Sequence, residues 1–129
     1  MNIPAELKYS NDHEWLRVEG KTVVLGITDF AQAQLGDVVF VELPQVGRML
    51  ACGEAVAVIE SVKAVSDVYA PVSGKVVKIN ESLEEAPEMV NQAPYGDGWI
   101  AVIELADESE LTQLMDAAAY EKLAAEGGH

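Results

Sequence analysis

Two Pro-x-x-Gly segments constrain the fold of this chain more than any other feature of its sequence. Pro44-Gln45-Val46-Gly47 and Pro71-Val72-Ser73-Gly74 lie 27 residues apart, and each is followed by one basic and two apolar residues. A motif that recurs in this way indicates an internal repeat of one structural unit. We therefore expect two similar half-sheets joined by a central turn.

The central turn carries a lysine. Residues 55–59 and 65–69 are rich in valine and are bounded by Gly53 and Pro71, which is typical of strands. Lys63 lies in the short segment between these two runs. The pattern predicts a β-hairpin with Lys63 at its tip.

The rest of the chain also favours strands, with helices near its C-terminal end. Thr28 or Asp29 is suited to cap a short helix over 30–35, and Gly36 is suited to end it. From Asp107 onward apolar residues recur at helical spacing, which predicts one or two C-terminal helices with frayed residues at 126–129. The further expected strands are 13–18, 22–27, 37–43, 75–80 and 99–105, and the expected loops are 81–88 and 91–98.

These elements predict one mainly β domain over residues 1–129. Short strands with Gly and Pro turns favour a flattened sandwich or barrel of two antiparallel sheets, with a short internal helix and C-terminal helices. A chain of 129 residues is long enough to bury such a core as a single domain.

Charge and composition narrow the function. The formal net charge of −14 opposes binding to nucleic acid and to anionic membranes, and it favours protein partners with a basic face. The sequence lacks an apolar run of about 20 residues and a signal peptide, so we expect a soluble, cytoplasmic protein. Cys52 is the only cysteine, which excludes an intramolecular disulfide, and we expect it to be a small buried or half-buried filler.

The sequence contains no recognisable catalytic constellation. It lacks a nucleophile elbow and a phosphate-binding loop. It also lacks a histidine pair at ligand spacing, because His13 and His129 lie near opposite ends of the chain. We therefore expect neither an enzyme nor a metal site. A lysine at an arbitrary hairpin tip is a solvated, protonated side chain without a chemical role. Only the residues around Lys63 indicate that this lysine has a function.

Those surroundings resemble a known family. Glu60-Ser61-Val62-Lys63-Ala64, followed by Ala70-Pro71-Val72-Ser73-Gly74, resembles the lipoylation site of the H-protein family of the glycine cleavage system. The likeness extends over nearly the whole chain. Its further segments are Leu7-Lys8-Tyr9, His13-Glu14-Trp15, Gly26-Ile27-Thr28-Asp29, Ala31-Gln32, the run from Leu35 to Pro44, Asn91, Pro94-Tyr95 and Gly98-Trp99-Ile100.

The resemblance implies a lipoyl-domain fold extended by N-terminal strands and C-terminal helices, with lipoate attached to Lys63 as an amide. A carrier of this kind is not itself an enzyme. It takes the aminomethyl group of glycine from a pyridoxal-phosphate decarboxylase (the P protein) to a tetrahydrofolate-dependent aminomethyltransferase (the T protein). Dihydrolipoamide dehydrogenase (the L protein) reoxidises it, a lipoyl-attaching enzyme loads it, and the carrier is expected to be a monomer.

The resemblance also implies roles for residues near the arm. Glu14 matches a position that meets the aminomethyl amine in a surface cleft, although it also fits a solvated strand carboxylate. Glu60, Ser61 and Asp67 flank the lysine and are candidates for recognition, or they are ordinary polar hairpin residues. Many family members have His before Ala-Gln where this chain has Phe30, so an imidazole role at that position is not expected here.

Other readings fit less well. A biotin carrier normally has methionines beside its lysine, and a lipoyl domain of a 2-oxoacid dehydrogenase has Asp before it, whereas Val62 and Ala64 flank Lys63. An H-like paralogue that relays lipoyl groups would share the same lysine and fold. An unmodified acidic adaptor is the alternative from a different class.

Overall fold

The computed structural model describes residues 2–126, which form two antiparallel sheets with short helices around them. Alternating, β-branched sequences account for the strands. Within the described residues the strands are β1 Lys8–Tyr9, β2 Glu14–Glu19, β3 Thr22–Ile27, β4 Val38–Glu42, β5 Met49–Leu50, β6 Ala55–Ser61, β7 Val65–Tyr69, β8 Gly74–Ile79 and β9 Ala101–Leu105. The helices are α1 Asp29–Leu35, α2 Met89–Gln92 and α3 Ala117–Ala125, with 3₁₀ turns at Glu81–Glu84 and Glu108–Gln113.

The two sheets differ in size. The larger has six strands in the order β1-β2-β3-β9-β8-β5, and the smaller has three in the order β4-β6-β7. Neither sheet closes on itself, so the fold is a flattened sandwich and not a barrel. The main core lies between the sheets, where Leu25, Ile59 and Ile103 are fully buried.

The repeated turns are the points where the chain changes sheets. The turn at Pro44 leads from β4 in the small sheet to β5 in the large one, and the turn at Pro71 leads from β7 to β8 in the same way. The two copies then pair with each other, Met49 opposite Lys75 and Leu50 opposite Gly74. The expected half-sheets are therefore not separate, because each half contributes strands to both sheets.

Gly74 is required by a close approach of the backbone. A Cβ built at this position would lie 2.2 Å from the carbonyl oxygen of Glu104 on β9. Any side chain here would push the second Pro-x-x-Gly turn away from the large sheet. The glycine of this motif thus serves sheet pairing.

The helical expectations are confirmed in outline and corrected in detail. Thr28 is the N-cap of α1, because its side chain accepts a hydrogen bond from the Ala31 N–H, and Gly36 ends the helix at φ 77°. The expected loop over 91–98 is wrong at its first two residues, because α2 extends to Gln92. This helix buries the side chain of Val90. Residues 127–129, expected to be frayed, lie outside the described residues.

The C-terminal helix covers the edge of the large sheet. Tyr120 of α3 stacks on Tyr9 of β1 with ring centroids 4.6 Å apart, and both side chains are fully buried. Trp15 joins this second cluster as a packing residue and donates its indole N–H to the Pro94 carbonyl at 2.9 Å. Cys52 is exposed, so its expected burial is wrong. In residues 2–126 no helix has the length and apolar character needed to cross a membrane.

Candidate functional site

Lys63 lies at the exposed tip of the β6–β7 hairpin, as the sequence predicts. Ser61 shapes this tip: its Oγ accepts hydrogen bonds from the N–H groups of Ala64 at 3.0 Å and Lys63 at 3.3 Å. The Ser61 N–H also donates to the Ala64 carbonyl at 2.8 Å. The serine therefore holds the turn in the conformation that presents the lysine.

The tip is tied to the C-terminal end of α1. The Val62 N–H donates to the Asp37 carbonyl at 3.0 Å, and the end of the Lys63 side chain lies over Gly36, with its Cε 3.3 Å from a Cβ built there. Asn91 fixes the same segment, since its amide donates to the Gly36 carbonyl at 2.8 Å and its Oδ1 accepts from the Val38 N–H at 2.8 Å. The end of the Lys63 side chain therefore packs on a backbone segment that Asn91 fixes by hydrogen bonds.

A cleft of about 190 Å³ opens beside this segment, between α1 and the free edge of β7. Leu35, the residue before Gly36, forms part of its wall. Its apolar lining suits an alkyl chain and a sulfur ring, whereas its polar lining includes three carboxylates. The apolar lining residues are Ile27, Phe30, Ala31, Leu35, Ile59 and Val68, and the polar ones are Asp12, His13, Glu14, Gln34, Ser66 and Asp67.

Glu14 is the buried carboxylate of this cleft. Only 2% of its surface is exposed, so the alternative of a solvated strand carboxylate is wrong. Ser10 Oγ donates to its Oε1, and the Tyr69 N–H on the edge of β7 donates to its Oε2 at 3.2 Å. Burial, together with a smaller effect of the nearby Asp12 carboxylate, raises the pKa of Glu14 to about 7 despite these two donors.

Glu14 has no cationic partner among the salt bridges of the described residues. Its two oxygens meet only neutral donors, so a cation entering the cleft would find a carboxylate already oriented and not neutralised. Such a cation would favour the ionised form and lower the pKa of Glu14 toward its ordinary range. The cleft therefore provides a site for a small cationic group on an apolar chain.

Behind the cleft lies a hydroxyl network that the sequence does not predict. The Tyr120 hydroxyl lies 2.6 Å from Thr28 Oγ1 and 2.8 Å from His13 Nδ1, and the His13 ring packs on Phe30 with centroids 4.7 Å apart. His13 also has φ 68°, a conformation that costs energy in a residue other than glycine. Helical spacing predicts α3 but not where the Tyr120 hydroxyl points.

The remaining predicted residues lie in different places. Asp67 lines the cleft on β7 and is exposed. Glu60 is half-buried and lies opposite Phe40 on β4 and Val65 on β7, away from the cleft lining. Ser61 acts within its own turn. The structure thus brings Asp67 to the cleft that contains Glu14, whereas Glu60, which shares the outer face of the small sheet with Asp67, does not line the cleft.

Comparisons with known proteins agree with this geometry. A family model described as the glycine cleavage H-protein matches residues 7–127. A glycine cleavage system H protein of Symbiobacterium thermophilum is 60% identical over 126 residues, which is 98% of this chain and 98% of that protein. One of Salmonella arizonae is 58% identical over 123 residues, which is 95% of each chain.

The fold has a close counterpart among solved structures. The crystal structure of a glycine cleavage system H protein from Mycobacterium marinum superposes with a TM-score of 0.86 at 36% identity, covering 95% of this chain and 99% of that one. Sequence and fold therefore agree over nearly the full length, from the N-terminal strands to the C-terminal helix. On this basis the chain belongs to the glycine cleavage H-protein family.

Proposed function

We propose that this chain is the lipoyl-bearing carrier of a glycine cleavage system and that Lys63 is its attachment residue. The observation that carries the proposal is the position of Lys63, exposed on a fixed hairpin tip beside an apolar cleft that contains a buried carboxylate. Membership of the H-protein family supports the same conclusion.

Attachment requires an exposed amine and a rigid presentation. The Lys63 Nζ loses a proton and forms an amide with an activated lipoyl carboxyl group, whose activating group leaves. When attached, the lipoyl group carries the aminomethyl group of glycine and a pair of electrons on its two sulfurs. The chain contributes the tether, a place to rest and protection from water.

The cleft supplies the resting place. Leu35 lines the cleft and adjoins Gly36, over which the Lys63 end lies, so an arm attached to Lys63 would be held by the apolar lining, which includes Phe30 and Val68. The apolar walls exclude water from the sulfurs. Glu14 then pairs with the cationic amine of the cargo, and Asp67 at the mouth adds a second negative charge.

This role implies four partners. They are glycine decarboxylase, the aminomethyltransferase, dihydrolipoamide dehydrogenase and a lipoyl-attaching enzyme. The carrier has no catalytic residue of its own in this proposal. Monomeric state, cytoplasmic location and recognition of Glu60, Ser61 and Asp67 by partners stay predictions.

The first test is the mass of the protein isolated from its own cells, with peptide mapping. We expect one lipoyl adduct on Lys63 and no adduct in Lys63→Arg, which keeps the charge and the fold. An unmodified Lys63 in lipoate-replete cells would overturn the proposal and favour the acidic adaptor.

The second test addresses Glu14. The Glu14→Gln variant, loaded with the aminomethyl group, should release it faster than the parent chain, because the amide does not pair with the amine. Glu104→Gln, an exposed position on β9, is the matched control. Equal lifetimes in the parent and Glu14→Gln would remove Glu14 from the mechanism.

A further inference from the structure

The outer face of the three-stranded sheet has an ordered pattern of apolar and acidic residues. Phe40, Glu60 and Val65 lie opposite one another across the three strands and form one row. Glu42, Val58 and Asp67 form the next row, two residues further along each strand. We call these six residues the sheet face. Apolar and acidic side chains alternate in both directions across it.

A β-bulge enlarges the apolar part of the sheet face near the lysine. The register of β4 against β6 shifts between Val38 and Phe40, so that both Val39 and Phe40 are exposed. Phe40 is 49% exposed, Val65 67% and, at the tip, Val62 70%. Large apolar side chains clustered at this exposure mark an interaction surface more often than isolated ones do.

The three strands that form the sheet face carry no positive charge of their own. Strands β4, β6 and β7 contain no lysine or arginine. The seven bases other than Lys63 belong to the large sheet, its turns or α3, and they are Lys8, Arg17, Lys21, Arg48, Lys75, Lys78 and Lys122. Arg48 lines a pocket together with Glu42 and Val58, in the row of the sheet face farther from Lys63, and its guanidinium lies 3.8 Å from Glu54. Acylation of Lys63 would remove the positive charge at the hairpin tip and leave Arg48 beside the farther row.

We infer that the sheet face is the docking surface for the enzyme that acylates Lys63, and that the contact face of this enzyme places lysine and arginine side chains between apolar ones, to match the alternating pattern. The apolar residues supply the area buried in such an interface, and the carboxylates between them steer the encounter. A second copy of this chain fits poorly, because it would place one acidic face against another. The inference rests on the proposed attachment at Lys63 and adds the surface through which that residue is reached.

The test measures lipoylation by a lipoyl-attaching enzyme supplied with lipoic acid and ATP, with intact mass as the readout. Phe40→Ser and Glu60→Lys should each raise the KM for the carrier about tenfold and leave kcat nearly unchanged, since both residues lie outside the reacting groups. Raising the salt concentration should increase the KM of the parent chain and have less effect on Glu60→Lys.

Matched controls lie on other surfaces. Val77→Ser removes an exposed valine from β8, and Glu121→Lys reverses an exposed charge on α3. Both should keep the parental KM. The unfolding midpoint of every variant, together with its sedimentation coefficient, separates loss of fold and self-association from loss of docking.

The outcomes distinguish this inference from the proposed function. Lipoylation of Lys63 with the same KM in the sheet-face variants and the controls would overturn the docking surface alone. Dimerisation that is lost in Phe40→Ser would assign the face to a second copy and would also overturn it. A chain whose Lys63 accepts no lipoyl group would overturn the proposed function and the inference with it.

Discussion

The end of the Lys63 side chain lies directly over Gly36, the residue that ends α1. A Cβ built at Gly36 would lie 3.3 Å from Lys63 Cε and 3.9 Å from Nζ. The backbone of Gly36, with φ 77° and ψ −157°, is in a region that is essentially restricted to glycine. Helix termination and access to the lysine therefore depend on the same residue.

Gly36→Ala should lower the free energy of unfolding by about 1–3 kcal/mol, because alanine is strained in this conformation. It should also slow lipoylation of Lys63, since the added methyl group displaces the lysine end. Gly47→Ala is the control: Gly47 also has a positive φ, 97°, but a Cβ there meets nothing within 4 Å. Equal lipoylation rates in the two variants would show that the contact with Lys63 has no effect.

Glu14 makes stability depend on pH. Burial raises its pKa to about 7, from an ordinary value of 4.5 in the unfolded chain. Between these pH values the folded chain binds more protons than the unfolded chain, so the contribution of Glu14 to the free energy of unfolding falls as pH rises from 4.5 to about 7. Glu14→Gln lacks this titration, and its amide is able to accept from the Tyr69 N–H and donate to Ser10 Oγ.

The measurement is chemical unfolding of the parent and Glu14→Gln at pH 4 and pH 8. Relative to the parent, the variant should gain about 3 kcal/mol between these two pH values, from a shift of two to three pKa units. Taking the difference cancels the titration of the other carboxylates. Parallel pH profiles for the two proteins would contradict the raised pKa.

Asn91 should be essential to the segment beneath the lysine. Asn91→Ala removes the partners of the Val38 N–H and the Gly36 carbonyl, so we expect a loss of about 2–3 kcal/mol in the free energy of unfolding. Hydrogen exchange at the Val62 amide, which donates to Asp37, should become faster. Asn91→Asp keeps the acceptor for Val38 but sets a carboxylate oxygen against the Gly36 carbonyl, so it should also destabilise the fold. Unchanged hydrogen exchange at the Val62 amide in Asn91→Ala would show that Asn91 does not stabilise the hairpin tip.

Tyr120 should couple the C-terminal helix to the cleft wall. Tyr120→Phe leaves the stacking on Tyr9 but removes the hydroxyl shared with Thr28 and His13, which we expect to cost about 1–2 kcal/mol. In a double-mutant cycle with Thr28→Val, the coupling energy should exceed about 0.5 kcal/mol. Strict additivity of the two changes would mean that the hydroxyl contact contributes nothing.

The local parts of this protein follow from its sequence. Valine-rich runs bounded by Pro and Gly predicted β6, β7 and the tip between them, and Thr28 and Gly36 marked the ends of α1, because strand pairing in a hairpin and helix capping act between residues near in the chain. The resemblance to the H-protein family also rested on the sequence alone. The loop expected at 91–98 failed where the gain from burying Val90 outweighed the turn-forming composition around it.

The assembly of the site depends on contacts between residues far apart in the chain. The contact between Glu14 and Tyr69 joins residues 55 apart, and the contact of Tyr120 with His13 joins residues 107 apart. The same holds for the exchange of strands between the two sheets and for the alternating rows of the sheet face. Such relations depend on sheet register and packing between distant segments. Spacing along one sequence does not specify them, because many registers satisfy the same local pattern.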